Sequence, residues 1–225
     1  MRGAPVQRRA FTYKVTEEPG ALAVSLADIK SHLKETGSSE DDLITIYLEA
    51  AIDYAERLTK RDFITRTYTT FRDFFPGVSE GYYQFGNLPT LGTSVGFGGN
   101  IGFEIRKSPL QSIESIKYFV SDVLTTVLNT DYYNTLEEDY SEVLIKDDKC
   151  WPTNADVRLQ TIEISFKAGF GNADSDMPNW VSTGIMQHVA ELHANRGDCS
   201  SESEIKNNLP AAARMLYMQN RIENL

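Results

Sequence analysis

The chain has 225 residues, room for one generous domain with long excursions and too little for two ordinary ones. Its 32 acidic and 22 basic side chains leave a formal charge of −10, which argues against gripping a phosphate backbone by counterion release over a broad surface. Hydrophobic residues at 41% and aromatics at 11% exclude wholesale disorder, and no run approaches the ~18 apolar residues that span a bilayer.

Arg2, Arg8 and Arg9 charge the N-terminus, but no apolar run of signal-peptide length follows them, so the expectation is a soluble protein made in the cytoplasm, with no membrane partner. Residues 1–24 mix Arg, Thr, Glu, Pro19 and Gly20 without periodicity, the pattern of an extended N-terminal arm ordered by a partner. Ser25 and Asp28 have capping-box spacing, and Leu26, Ile29 and Leu33 then recur at helical intervals, which predicts a short helix over 26–34 closed by Thr36-Gly37.

Ser39 and Asp42 repeat the cap signal. Ile44, Leu48, Ala51, Ala55 and Leu58 step along one face, making 40–60 the strongest predicted helix, a rod of about 30 Å. Glu40, Asp41 and Asp42 stand at its positive end and Lys60 and Arg61 at its negative end, as the backbone dipole favours.

From Phe63 to Phe71 the pattern turns β-branched and aromatic, which predicts a strand. Further strands are predicted over 103–107, 113–120, 132–135, 143–146 and 160–168, the last with Ile162, Ile164 and Phe166 alternating with polar residues. Between the first strand and Phe103 runs a loop excursion over 77–102, whose Tyr82, Tyr83, Phe85 and Phe97 are too apolar for an idle solvated loop and predict a contact surface.

Pro178 opens a second long helix with Val181, Ile185, His188 and Leu192 on one side, ending near Arg196-Gly197. A polar linker over 197–208 follows, and Pro210 starts a last helix, within 209–222, that shows Met215, Leu216, Met218 and Ile222 with Arg214 and Arg221 nearby. That helix has two readings. It docks on a partner through Met215, Met218 and Arg221, or it closes the core, for which the alanines at 211–213 are suited. The expected fold class is α+β, mainly α: a bundle of two long and two shorter helices with a small, mostly antiparallel β appendage over about 62–168 and a long loop excursion. Residues 25–225 would form one domain.

Chemistry-bearing patterns are absent. Gly96 to Gly102 has isoleucine at 101 where a dinucleotide loop needs glycine, and no Gly-Lys-Ser/Thr follows. His188 and His193, five apart, lie about 140° apart around a helix and do not converge on a metal. His188 reads as a satisfied core histidine, His193 as a capping or packing residue, and His32 stands alone. Cys150 and Cys199 form no ligand or redox pattern, and the acidic runs Glu137-Glu138-Asp139 and Asp147-Asp148 read as solvated surface. The expectation is no catalytic, cofactor-binding or metal-binding residue, and no enzyme.

Several strings, in order, resemble the head-tail connector (adaptor) family of long-tailed double-stranded DNA bacteriophages. Ser25 to Lys34 resembles the family's opening helix, and Asp41-Asp42-Leu43-Ile44 through Ala50-Ala51, Ala55-Glu56 and Thr59-Lys60-Arg61 its long helix. Pro109 to Ile113 with Ser115 to Tyr118 is similar to its central strand start. Trp151-Pro152, Ala168 to Gly171, Met177-Pro178, His193 with Asn195-Arg196, and Leu209-Pro210-Ala211 follow in the same order. The arm and the Gly77 to Asn100 excursion depart from the family.

The resemblance implies a structural virion protein of the neck: a dodecameric ring beneath the portal protein that extends the DNA channel, lets double-stranded DNA pass without specific binding, and receives a stopper or tail-completion protein. It also tips the last helix toward docking on the portal. The alternatives are another neck part, a tail terminator or minor capsid protein, and after these an enzyme of unknown type.

Overall fold

The computed structural model describes residues 12–76, 102–135, 141–196 and 209–223. In chain order the elements are β1 (Tyr13–Glu17), α1 (Leu26–Leu33), α2 (Asp41–Thr59), β2 (Arg66–Arg72), β3 (Gly102–Ile105), β4 (Leu110–Val120), β5 (Val123–Thr126), β6 (Tyr132–Asn134), β7 (Ser141–Ile145), β8 (Ile162–Ala168), α3 (Asn179–Ala194) and α4 (Ala211–Gln219). None of the described helices is long and apolar enough to cross a membrane.

Among the described residues, four helices against eight strands overturn the expected helix-dominated bundle with a β appendage. The strands form two sheets, one ordered β1-β2-β8-β4-β5 and the other β3-β7-β6, and every strand pairing is antiparallel. The β part is no appendage, because among the described residues it encloses its own core of fifteen buried residues, as many as the helical core holds. Two strands escaped the sequence reading for separate reasons. β1 is an edge strand of five residues lying in the stretch read as an arm, and only Tyr13 and Val15 turn inward. β5 follows a two-residue turn whose left-handed positions are filled by Ser121 (φ 51°) and Asp122 (φ 61°), so no glycine advertises it.

β8 is central because it alternates without error: Ile162, Ile164, Phe166 and Ala168 are buried while Glu163, Ser165 and Lys167 are not. Phe166 pairs with Tyr68 of β2 on one side and Ile113 of β4 on the other, and Tyr13 meets the Phe166 ring edge-on at 6.0 Å. Trp151 stacks on Phe75 at 5.3 Å and meets Phe103 at 5.1 Å, which ties the loop before β8 to the second sheet.

In the helical layer Ser25 caps α1 as its spacing predicted, its hydroxyl accepting from the Asp28 N–H at 3.1 Å. α2 buries Ile44, Leu48, Ala51 and Ala55 as predicted, with Thr59 completing the stripe and Leu58 half-buried. Its N-cap position is Glu40 rather than Ser39, and no side chain caps it, since the Glu40 carboxylate is engaged elsewhere. Both α1 and α2 end on a left-handed lysine, Lys34 (φ 61°) and Lys60 (φ 59°).

The two layers meet at the α2–β2 link. Phe63 and Ile64, read as the start of the first strand, instead belong to the helical core, and the strand begins at Arg66. Buried Asp62 accepts from the Tyr68 hydroxyl at 2.8 Å and Lys107 Nζ at 3.0 Å, while Glu56 accepts from Arg66 at 2.8 Å and from the Phe63 N–H at 2.8 Å. Burial first, and then the Asp62 carboxylate, raise the Tyr68 hydroxyl well above the usual tyrosine range. That keeps it the proton donor in the pair.

Candidate partner-binding surface

The seven residues expected to touch partners divide in two. Tyr82, Tyr83, Phe85 and Phe97 fall in 77–101, outside the described residues. Met215, Met218 and Arg221 lie on or just beyond α4 and point away from the core, Met215 61% and Met218 45% exposed. A spacing of three sets the two methionines on one helix face, and they border a shallow groove with Leu209, Pro210, Arg214 and Glu191 of α3.

The opposite face of α4 is seated in the protein. Ala213 and Tyr217 are fully buried, and the Ile222 N–H donates to the Thr59 carbonyl at 3.0 Å. Arg61 Nε donates to the Asn220 carbonyl at 2.8 Å. Both readings of this helix therefore have a physical basis, each on its own face: α4 closes the helical core and leaves a soft thioether ridge outside it.

The two histidines expected not to converge point to different places. His188 is buried beneath α4, where its ring meets Tyr54 of α2 at 5.3 Å and Tyr217 at 6.5 Å. It is a core histidine but not a satisfied one, because Nδ1 has no hydrogen-bond partner among the described residues. His193 packs at the start of α2, with Nε2 3.0 Å from Glu40 Oε2 and against Arg196 Nη2. Arg196 grips Glu40 with both terminal nitrogens, Nη1 to Oε1 at 2.9 Å. Arg196 first, and then His193, hold the Glu40 carboxyl at about 2, well below the usual range. Glu35, Glu40 and His193 bring one ligand atom each to within 4.8 Å of one another, but the Arg196 guanidinium already supplies the positive charge there.

A second exposed apolar surface was missed in the sequence. At the β4–β5 turn the Asp156 carboxylate accepts from the Ser121 and Asp122 N–H groups at 2.8 and 2.9 Å, clamping the loop 155–160 to the turn. Arg158 lies over the Phe119 ring and pairs with Asp122. Val157 (89% exposed) and Leu159 (80%) flank it, beside Val123 (64%) and Leu124 (44%). The signal was Val and Leu alternating with Asp156 and Arg158, a strand-like rhythm in a segment that forms no strand.

Against this geometry, the model of the family described as phage gp6-like head-tail connector protein matches residues 23–84, a stretch that contains α1, α2 and β2. Over this segment the chain is similar to the gp6-like head-tail connectors. The fold of the chain is similar along nearly its whole length to chains in three particle structures. A chain in the neck of an empty gene transfer agent particle, computed with C6 symmetry, is 17% identical with a TM-score of 0.65, covering 95% of this chain and 97% of that one. A chain in the native particle's neck, computed with C12 symmetry, is 16% identical with a TM-score of 0.66 and the same coverage. A chain in the virion of the native particle is 17% identical, with a TM-score of 0.65, 95% of this chain and 96% of that one. At such identities the likeness speaks for the fold. No curated protein matches the chain.

Proposed function

We propose that this protein is a head-tail connector, a structural part of the virion neck, where copies close into a dodecameric ring beneath the portal protein, continue the DNA channel and receive a stopper or tail-completion protein below. One observation carries this: the connector-family segment sits inside a fold that, over 95% of the chain, is shared with neck chains of a gene transfer agent particle. The physics agrees. A closed ring needs two different complementary surfaces on each copy, and the α4 ridge and the β4–β5 tip are separate exposed apolar surfaces. A formal charge of −10 repels the phosphate backbone, so DNA slides past rather than sticking. The role requires no catalysis.

Mass photometry of the purified connector, alone and with portal rings, tests the reading. The expected outcome is monomers or small oligomers alone and a defined ring of about twelve copies on the portal, the number that a C12 neck would hold. Failure to form any higher-order species in either setting, across salt and concentration, overturns it.

A further inference from the structure

The seat of α4 is built around polar groups that have lost water and gained no hydrogen bond among the described residues. Tyr217 and His188 are both buried, yet neither the Tyr217 hydroxyl nor His188 Nδ1 has a hydrogen-bond partner among the described residues, and Oε1 of neighbouring Gln187 is in the same position. A helix that only closed a core would be expected to meet apolar or satisfied groups there.

The surroundings determine what a proton on His188 would do. From α2 the ring meets Tyr54 and from α4 it meets Tyr217, two neutral aromatic rings. The carboxylates nearest in sequence are committed elsewhere: Asp53 accepts from Arg57 at 3.0 Å, and Glu191 accepts from the Asn195 amide at 2.6 Å. The charged groups that α4 and the residues after it bring are Arg214, Arg221 and Glu223, and the two nearest Tyr217 in sequence are cations. Among the described residues nothing offers an imidazolium a counter-charge, and burial alone pushes the His188 pKa down.

We propose that the α4 seat is an acid-sensitive clasp: neutral His188 lets the helix rest on α2 and α3, and protonation of His188 releases it. A buried cation without a partner is relieved most cheaply by letting water in, and of the elements over His188, α4 is the shortest, nine residues against nineteen in α2 and sixteen in α3. Release would uncover the buried flank of Tyr217 and Ala213 beside the exposed methionines. The whole helix would then be free to engage another surface, so the clasp sets when α4 is available rather than what it binds.

Hydrogen exchange of the full chain, read by mass spectrometry at about pH 7.5 and about pH 5 and corrected for intrinsic rates, tests this across the range where histidine titrates. In the native chain, protection of 211–219 should fall about tenfold or more at the lower pH while α2 stays protected. The non-titrating variant His188→Phe should keep α4 protected at both values, and His32→Gln, on the exposed face of α1, should respond like the native chain. Should His188→Phe fold poorly, His188→Asn serves as a second non-titrating variant with the same expected constancy. Equal α4 protection at both pH values in the native chain overturns the proposal, as does an undiminished acid response in the folded His188 variants.

Discussion

Tyr217 on α4 rests on the bare backbone of Gly184 on α3, so closely that a Cβ at the glycine would stand 2.6 Å from the tyrosine Cε1 atom. Ring and glycine are therefore one packing unit, and the glycine sits one helical turn before His188. Alanine at 184 gains helix propensity of roughly 1 kcal/mol but forces the aromatic ring off its seat, a cost of about 1–3 kcal/mol. Gly184→Ala should lower the thermal midpoint by a few degrees. In a Tyr217→Leu background the same change should cost nothing or stabilise, a non-additivity that calorimetry of the four variants can read.

The Asp62 junction makes a second test. Its carboxylate, 8% exposed, receives Tyr68, Lys107 and Arg66 at one oxygen, at 2.8, 3.0 and 3.5 Å. Asp62→Ala strands those donors at the boundary between the helical core and the large sheet, and stability should fall by about 3–5 kcal/mol. Tyr68→Phe removes one hydrogen bond and should cost about 1 kcal/mol. Urea denaturation followed separately by Trp180 and Trp151, which sit in the helical and sheet cores respectively, shows whether the two layers still unfold together.

Acid should loosen the tie between α2 and α3. The Glu40 carboxyl titrates at about 2 in the folded chain against 4.5 unfolded, so its contribution to stability is complete above about 4.5 and is lost as pH falls toward 2. Below both values it contributes nothing. Glu40→Gln should flatten the stability curve across that window and leave the slope above pH 5 unchanged. An identical curve in the variant would show that the Arg196 and His193 contacts do not hold the helix ends together in solution.

How much of this was legible in the sequence depended on whether the determining force was local. The α2 stripe and the Ser25 cap were read correctly because each is decided within one or two turns of helix. β8 was read because its alternation is uninterrupted. β1 was not, since a strand with only Tyr13 and Val15 turned inward is held by its partner β2 more than by its own pattern. The weight of the β layer was underestimated for a related reason: its core joins Phe75, Phe103 and Trp151, residues from three separate loops and strand ends, which no periodicity links. At the surface, the thioether ridge was visible as Met215 and Met218 three apart, whereas the apolar tip at Val157 and Leu159 depends on Asp156 folding its loop onto a distant turn.

The ridge supplies the last prediction. Removing α4 outright cannot test partner binding, because truncation after Asn208 also deletes Tyr217, Ala213 and Ile222 from the core, and losing one large buried aromatic alone costs about 3–5 kcal/mol. The truncated chain should precipitate or melt early. Met215→Asp with Met218→Asp changes only the outward face, where substitutions are worth about 0.5 kcal/mol or less each, so the fold should survive with a nearly unchanged melting transition. If the ridge is a contact in the assembled neck, two desolvated carboxylates in place of two thioethers should abolish incorporation into portal-bearing capsids. A paired change at the tip, Val157→Asp with Leu159→Asp, should also leave the fold intact. Comparing the two variants for ring formation on portal and for attachment of tails then separates the surface that faces the portal or a neighbouring copy from the one that faces the tail. A folded Met215/Met218 variant that enters capsids and yields tailed particles at native levels would remove α4's outer face from the interface.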